Sequence, residues 1–189
     1  GRSFAPTVGG PNEQNQVYID LSTEKQTTYK RDEWDLGFYS GSEFRVAING
    51  SVYMAVAELE STDIDAVSSS DVTDIQAAVA VGTFDPANEA YVDHPDGDIN
   101  KTAISAISSN NADNKVYLLN LGFEVGTETP EPGSVAIAGD PRGYLKIRIL
   151  REGDSYLLQY AELDATTHTE VTIEKSPGYN FTFFSFNSD

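Results

Sequence analysis

The chain has 189 residues, with 30 acidic side chains against 12 basic ones, a formal charge of -18 and no cysteine. Without thiols there is no disulfide framework, no thiolate metal site, no cysteine nucleophile and no C-x-x-C-H for covalent haem attachment. So few bases exclude the clustered cationic face that nucleic acid requires and an electrostatic hold on anionic lipid. No apolar run approaches the ~18 residues of a membrane span.

The opening segment, residues 1–16, is rich in Gly, Pro, Asn and Gln and has little to bury. It reads as a flexible tether, of the kind a secreted or lipid-anchored protein carries, ahead of one folded domain over 17–189. Strand signals begin at "QVYIDLS", where Val17, Ile19 and Leu21 alternate with Tyr18, Asp20 and Ser22. "WDLGFY" and "FRVAI" follow across a Ser40-Gly41-Ser42 turn. Their alternation places Trp34, Leu36 and Phe38 on one face, opposite Phe44, Val46 and Ile48. Trp34, the only tryptophan, is expected to be a core anchor, with Asp35 bonding a nearby turn backbone. Asn49-Gly50 then separates "FRVAI" from "SVYMAVAEL", a strong hairpin signal.

Residues 68–84, "SSSDVTDIQAAVAVGTF", open with capping residues, space Val72, Ile75, Ala78 and Val79 at helical intervals and stop at Gly82. This predicts one short amphipathic helix. Residues 85–100 and 108–114 read as loops around a short apolar piece, "KTAISAI". The last third reads as an antiparallel meander: "KVYLLNLGF", a Pro-rich turn region, "YLKIRIL", "SYLLQYAEL", "TEVTIEK" and "YNFTFFSF". The fold class is mainly β, a single meander, sandwich-like or a partly open barrel, with both ends of the chain in one core.

Enzyme motifs are absent: there is no G-x-S-x-G, no H-E-x-x-H and no P-loop, so no catalytic residue is expected. Two binding chemistries have candidates. "DHPDGDIN" gathers Asp93, Asp96, Asp98 and Asn100 around Gly97, hard oxygen donors of the type calcium takes. An axial ligand to haem iron would come from His94, His168 or Met54.

The order of the pieces resembles the HmuY family, haem-binding lipoproteins of the Bacteroidetes outer surface. Val17 to Leu21 is similar to its V-Y-hydrophobic-D-L strand, Trp34 to Phe38 to its W-D-hydrophobic-x-F strand, and Phe44 to Asn49 to the strand that ends in Asn. "KVYLLNLG", "GYLKIRIL", "YLLQYAEL", Glu170 to Lys175 and "YNFTFFSF" resemble the family's ending. The resemblance implies an all-β fold and a cell-surface or secreted location, held to the outer membrane only through an N-terminal lipid anchor. It also implies iron acquisition by capture of haem, free or from a host haemoprotein, for an outer-membrane haem receptor. The family's two axial ligands, His or Met, sit in the middle and later finger segments. His94 corresponds to the first, with His168, Met54 or water as its partner. The later segment here, "GTETPEPGSVAIAGDPR", contains neither His nor Met. A non-haem ligand-binding or adhesion module on the same scaffold, with bound calcium, is the alternative.

Overall fold

The computed structural model describes residues 3, 5–83, 85–134 and 138–187. Gly1, Arg2 and Phe4 of the expected tether, Phe84 and residues 135–137 of the Pro-rich region lie outside the described residues. Among the described residues ten strands form three antiparallel sheets, none closed into a barrel. β1 (Asn15–Asp20) pairs with β2 (Lys25–Lys30) alone. β10 (Phe181–Phe184), β3 (Leu36–Tyr39) and β4 (Val46–Ile48) make a second sheet in that order. The third runs β5 (Ala55–Glu58), β6 (Val116–Asn120), β7 (Tyr144–Glu152), β8 (Ser155–Ala161) and β9 (Thr169–Ile173).

The period-2 patterns explain where the core lies. Leu36, Phe38, Val46 and Ile48 from the three-stranded sheet meet Tyr117, Leu119, Leu145, Ile147, Ile149, Tyr156 and Leu158 from the five-stranded one in a single buried cluster. Ile104 and Ile107, the short apolar piece between loops, complete it. The opposite face of the five-stranded sheet is buried too. Ala55, Ala57 and Leu118 pack against Val72 and Val79, with Ile75, Tyr91 and Val92 alongside. Both faces being covered, β6 reads as a continuous apolar run, as strands buried on two sides do. Lys146 shares that second face, fully buried. Its ammonium donates to Val67 O and Ala165 O, both at 2.6 Å.

Four expectations are corrected. First, Trp34 does not share the core face. β3 begins only at Leu36, so the alternation does not extend back to Trp34. The indole is half-buried on the outer side, 4.9 Å from the Phe183 ring, and donates from Nε1 to Gln16. Second, Asn49-Gly50 makes no hairpin. The fully buried Asn49 caps a 3-10 turn (Gly50–Val52) and donates to Arg31 O and Trp34 O, and the chain crosses from one sheet to the other. Third, residues 72–79 form no α-helix. A capped 3-10 turn (Ser69–Asp71) leads into linked turns, because the Ser, Thr and Asp side chains bond local backbone, as Thr73 Oγ1 does to Ser69 O at 3.2 Å. Its apolar spacing nevertheless packs Val72 and Val79 at 0% exposure. Fourth, β10 does not extend the meander but lies beside β3, which joins the last strand to the sheet of β3 and β4.

Asp35 is what ties that sheet to the rest. It is fully buried and bidentate to Arg142, at 2.7 Å to Nη1 and 3.0 Å to Nη2, while Phe186 N donates to Oδ2 at 2.7 Å. Upstream of β1, Thr7 and Asn12 lie against β2 and its exit, through Thr7–Thr28 and Arg31–Asn12 hydrogen bonds.

Candidate functional site

The loop from Asp93 to Ala103 runs beside β4 and is pinned there by one carboxylate. Asp93 Oδ2 accepts from Ile48 N at 2.9 Å and Oδ1 from Ala103 N at 2.8 Å, so it stands in for a neighbouring strand and closes the loop at its base. Burial pushes its pKa up, more than the two N–H bonds lower it. Within the loop His94 N donates to Lys101 O, Asp96 Oδ1 accepts from Asp98 N, and Asp98 Oδ1 accepts from Asn100 N. The last two are Asx turns, which the i, i+2 spacing of acids around Gly97 encodes.

His94 is about half exposed and its Nδ1 lies 2.9 Å from Asp96 Oδ1. Asp96 N also approaches Nδ1, at 3.3 Å, which suits the opposite tautomer. The two contacts call for opposite tautomers, and only the one with its proton on Nδ1, facing the Asp96 carboxylate, leaves Nε2 free to bind a metal. Asp96 in turn takes Lys101 Nζ at 2.6 Å, and this bond, followed by that from Asp98 N and that from His94, holds its carboxyl well below the usual range. Nε2 has no hydrogen-bond partner among the described residues, and in that tautomer it carries a free lone pair. A carboxylate on one imidazole nitrogen with the other open is the arrangement that metal-binding histidines use.

His168 is placed differently. It sits in the β8–β9 turn with Nδ1 2.8 Å from Asp65 and Nε2 3.2 Å from Glu170. The bond to Asp65, then that to Glu170, raises its pKa against the opposing effect of burial. Both nitrogens are taken by carboxylates, so neither is open to a metal. Met54 is at 0% exposure inside the main core cluster, so its sulfur is out of reach of a surface ligand. The calcium set does not converge. Asp93 serves two backbone N–H groups, Asp96 serves Lys101 and His94, and Asp98 caps Asn100. Among the described residues no group of three or more His, Asp or Glu side chains is placed to hold a metal ion.

A groove of about 470 Å³ lies on the same side as His168, with Leu121, Leu145, Tyr160 and Phe186 among its lining residues; His94 is not among them. Sequence reasoning missed the Asp96–Lys101 relay and the Asp93 clip. The first was legible as acids alternating with Gly and Asn before a Lys; the second, a contact across 45 residues, was not. No helix among the described residues is long and apolar enough to cross a membrane.

Comparison with protein-family models gives a match to the model described as HmuY protein over residues 12–175. Neither curated proteins nor solved structures give a match.

Proposed function

The chain belongs to the HmuY family, and on that premise we propose that it captures haem through a single protein ligand, Nε2 of His94. The observation that carries this reading is the Asp96–His94 contact at 2.9 Å, which fixes the imidazole and keeps one nitrogen open. The residues fit one axial ligand and not two. His168 is engaged on both sides, Met54 is buried, and the later segment supplies neither His nor Met. When bound, haem iron would be the Lewis acid that Nε2 of His94 would hold. Lys101, the base nearest His94 in the chain, is already paired to Asp96, so the propionates gain little from it.

In this reading the protein acts at the cell surface, tethered through the segment before Gln16 to a lipid anchor. It takes haem, free or from a host haemoprotein, and passes it to an outer-membrane receptor. A haemin titration followed in the Soret region tests the chemistry. The expected result is saturable binding with a high-spin ferric spectrum, lost in His94→Ala and kept in His168→Ala. Asp96→Ala should weaken binding by roughly 10–100-fold, the usual cost of losing a second-shell partner. No saturable binding by the wild type, or binding indifferent to His94→Ala, overturns the reading.

A further inference from the structure

β10 is the edge of its sheet, and its outer side is unpaired: among the described residues its strand partner is β3 alone. Ser40 N donates to Asn180 O at 2.8 Å, so Asn180 turns its peptide groups toward β3. Strand alternation turns those of Thr182 and Phe184 the same way. Phe181 and Phe183 therefore aim their N–H and C=O groups outward, in the plane of the sheet. No loop backbone among the described residues takes these groups. Such an edge is a template for another strand, and proteins guard it with charge, proline or a bulge. β10, Phe-Thr-Phe-Phe in unbroken register with β3, has none of the three.

Charge and symmetry select the strand that fits this edge. Residues 176–188 carry no acid or base, the longest such run in a chain of net charge -18. The next longest, 46–57, is largely buried, whereas Tyr179 and Phe183 within this one are 76% and 54% exposed. As wholes two copies repel, and here they can meet without charge. Past the end of the strand, Asp32 and Glu33 share a groove with Ser185 and Asn187. Symmetry fixes the register. With Thr182 opposite Thr182 of an antiparallel second copy, each Phe181 faces the other copy's Phe183, and each such pair exchanges both backbone bonds. The rings are already ordered. Phe183 packs on Trp34 at 4.9 Å, and both phenyls lie over Gly37, where a Cβ would meet them at 3.2 and 3.3 Å. Pairing therefore costs little side-chain freedom.

We propose that β10 pairs with β10 of a second copy in a symmetric dimer, joining the two three-stranded sheets edge to edge about Thr182. The pairing uses none of the residues assigned to haem, so it stands whether or not His94 binds iron. Analytical ultracentrifugation of the full chain over a concentration series should show a monomer–dimer equilibrium. Raising NaCl from about 20 to about 500 mM should tighten it at least about threefold, by screening the repulsion between acidic copies. Phe183→Lys should abolish the dimer while keeping native circular dichroism. Should that variant fail to fold, Tyr179→Asp, whose side chain makes no hydrogen bond among the described residues, charges the same run and should weaken association at least about tenfold. The chain has no cysteine, so Thr182→Cys introduces a single thiol. Cα atoms of facing non-hydrogen-bonded residues lie about 4.5 Å apart, within disulfide reach. Mild oxidation should link this variant at least about tenfold faster than Leu21→Cys, which places the thiol at the exposed β1–β2 tip. A chain monomeric at every concentration overturns the proposal, including one that takes up an uncharged β-strand peptide at this edge instead. A dimer weakened by salt, a dimer unchanged in both Phe183→Lys and Tyr179→Asp, or linking no faster at Thr182→Cys than at Leu21→Cys overturns it as well.

Discussion

Replacing Asp35 with Ala should lower the unfolding free energy by about 4 kcal/mol. Breaking a buried ion pair by removing one partner costs about 3–5 kcal/mol, because the other charge stays buried. Arg142 would be that charge, at 3% exposure. Phe186 N–H would also lose its acceptor, a loss of about 1–3 kcal/mol for a buried donor. The two overlap, and Glu124, 3.8 Å from Arg142 Nε, would recover part of the first. About 4 kcal/mol is a large share of a total near 5–15 kcal/mol. Urea unfolding followed by Trp34 fluorescence reads the change, since the indole packs on Phe183 of β10. Far-UV circular dichroism should give a coincident midpoint. The paired variant Asp35→Leu with Arg142→Met should recover most of the loss, because an apolar pair leaves no charge unmatched. A cost below about 1 kcal/mol for Asp35→Ala, or a double variant as weak as the sum of the singles, would refute the assignment of Asp35 as a buried clamp.

Gly122→Ala should destabilise by at least about 2 kcal/mol. Its φ is +71°, and an added Cβ would fall 1.9 Å from Val52 O, so the main chain itself would have to move; an unchanged midpoint in urea would contradict that. His168 should make stability depend on pH in a particular direction. Its folded pKa lies above the unfolded value of 6.5, so its contribution is complete below about 6.5 and is lost as pH rises through the higher folded value. Thermal melts of the wild type and His168→Gln should therefore differ most below about pH 6.5 and converge as pH rises through the folded value; a gap that widens with pH would be the wrong sign.

The fold was legible where one side of a strand decides its fate. Val46 and Ile48, and Leu145, Ile147 and Ile149, alternate cleanly and lie in the core cluster. The β7–β8 hairpin follows from a short turn between such runs, whereas β6 and β7 pair across the long connection from Leu121 to Gly143. What failed were inferences that needed a partner distant in sequence. Asn49-Gly50 has the composition of a hairpin turn, but Asn49 finds Arg31 O and Trp34 O, and those two bonds redirect the chain. Trp34 was assigned to the core because the alternation was extended past Leu36. The break comes at Asp35, which turns inward to an arginine 107 residues away.

The same limit governs the site. Pattern alone placed His94, His168 and Met54 on equal terms, since a lone imidazole or thioether shows nothing of its neighbours. The difference among them is entirely in contacts. Asp96 is local to His94, two residues on, and holds one nitrogen. Asp65 reaches His168 across 103 residues and, with Glu170, takes both. Acids near a histidine therefore act in opposite senses here: one carboxylate leaves a ring nitrogen open for the proposed ligand role, while two occupy both nitrogens and raise the pKa of a ring that ties loops together. In a chain with 30 acids and two histidines, the number of carboxylates around each ring, rather than their presence, separates the proposed haem ligand from the histidine that holds loops together. The count also ranks the variants. Removing Asp96 should weaken haem capture and leave the fold intact, whereas removing Asp65 should loosen the β8–β9 turn and leave haem capture untouched.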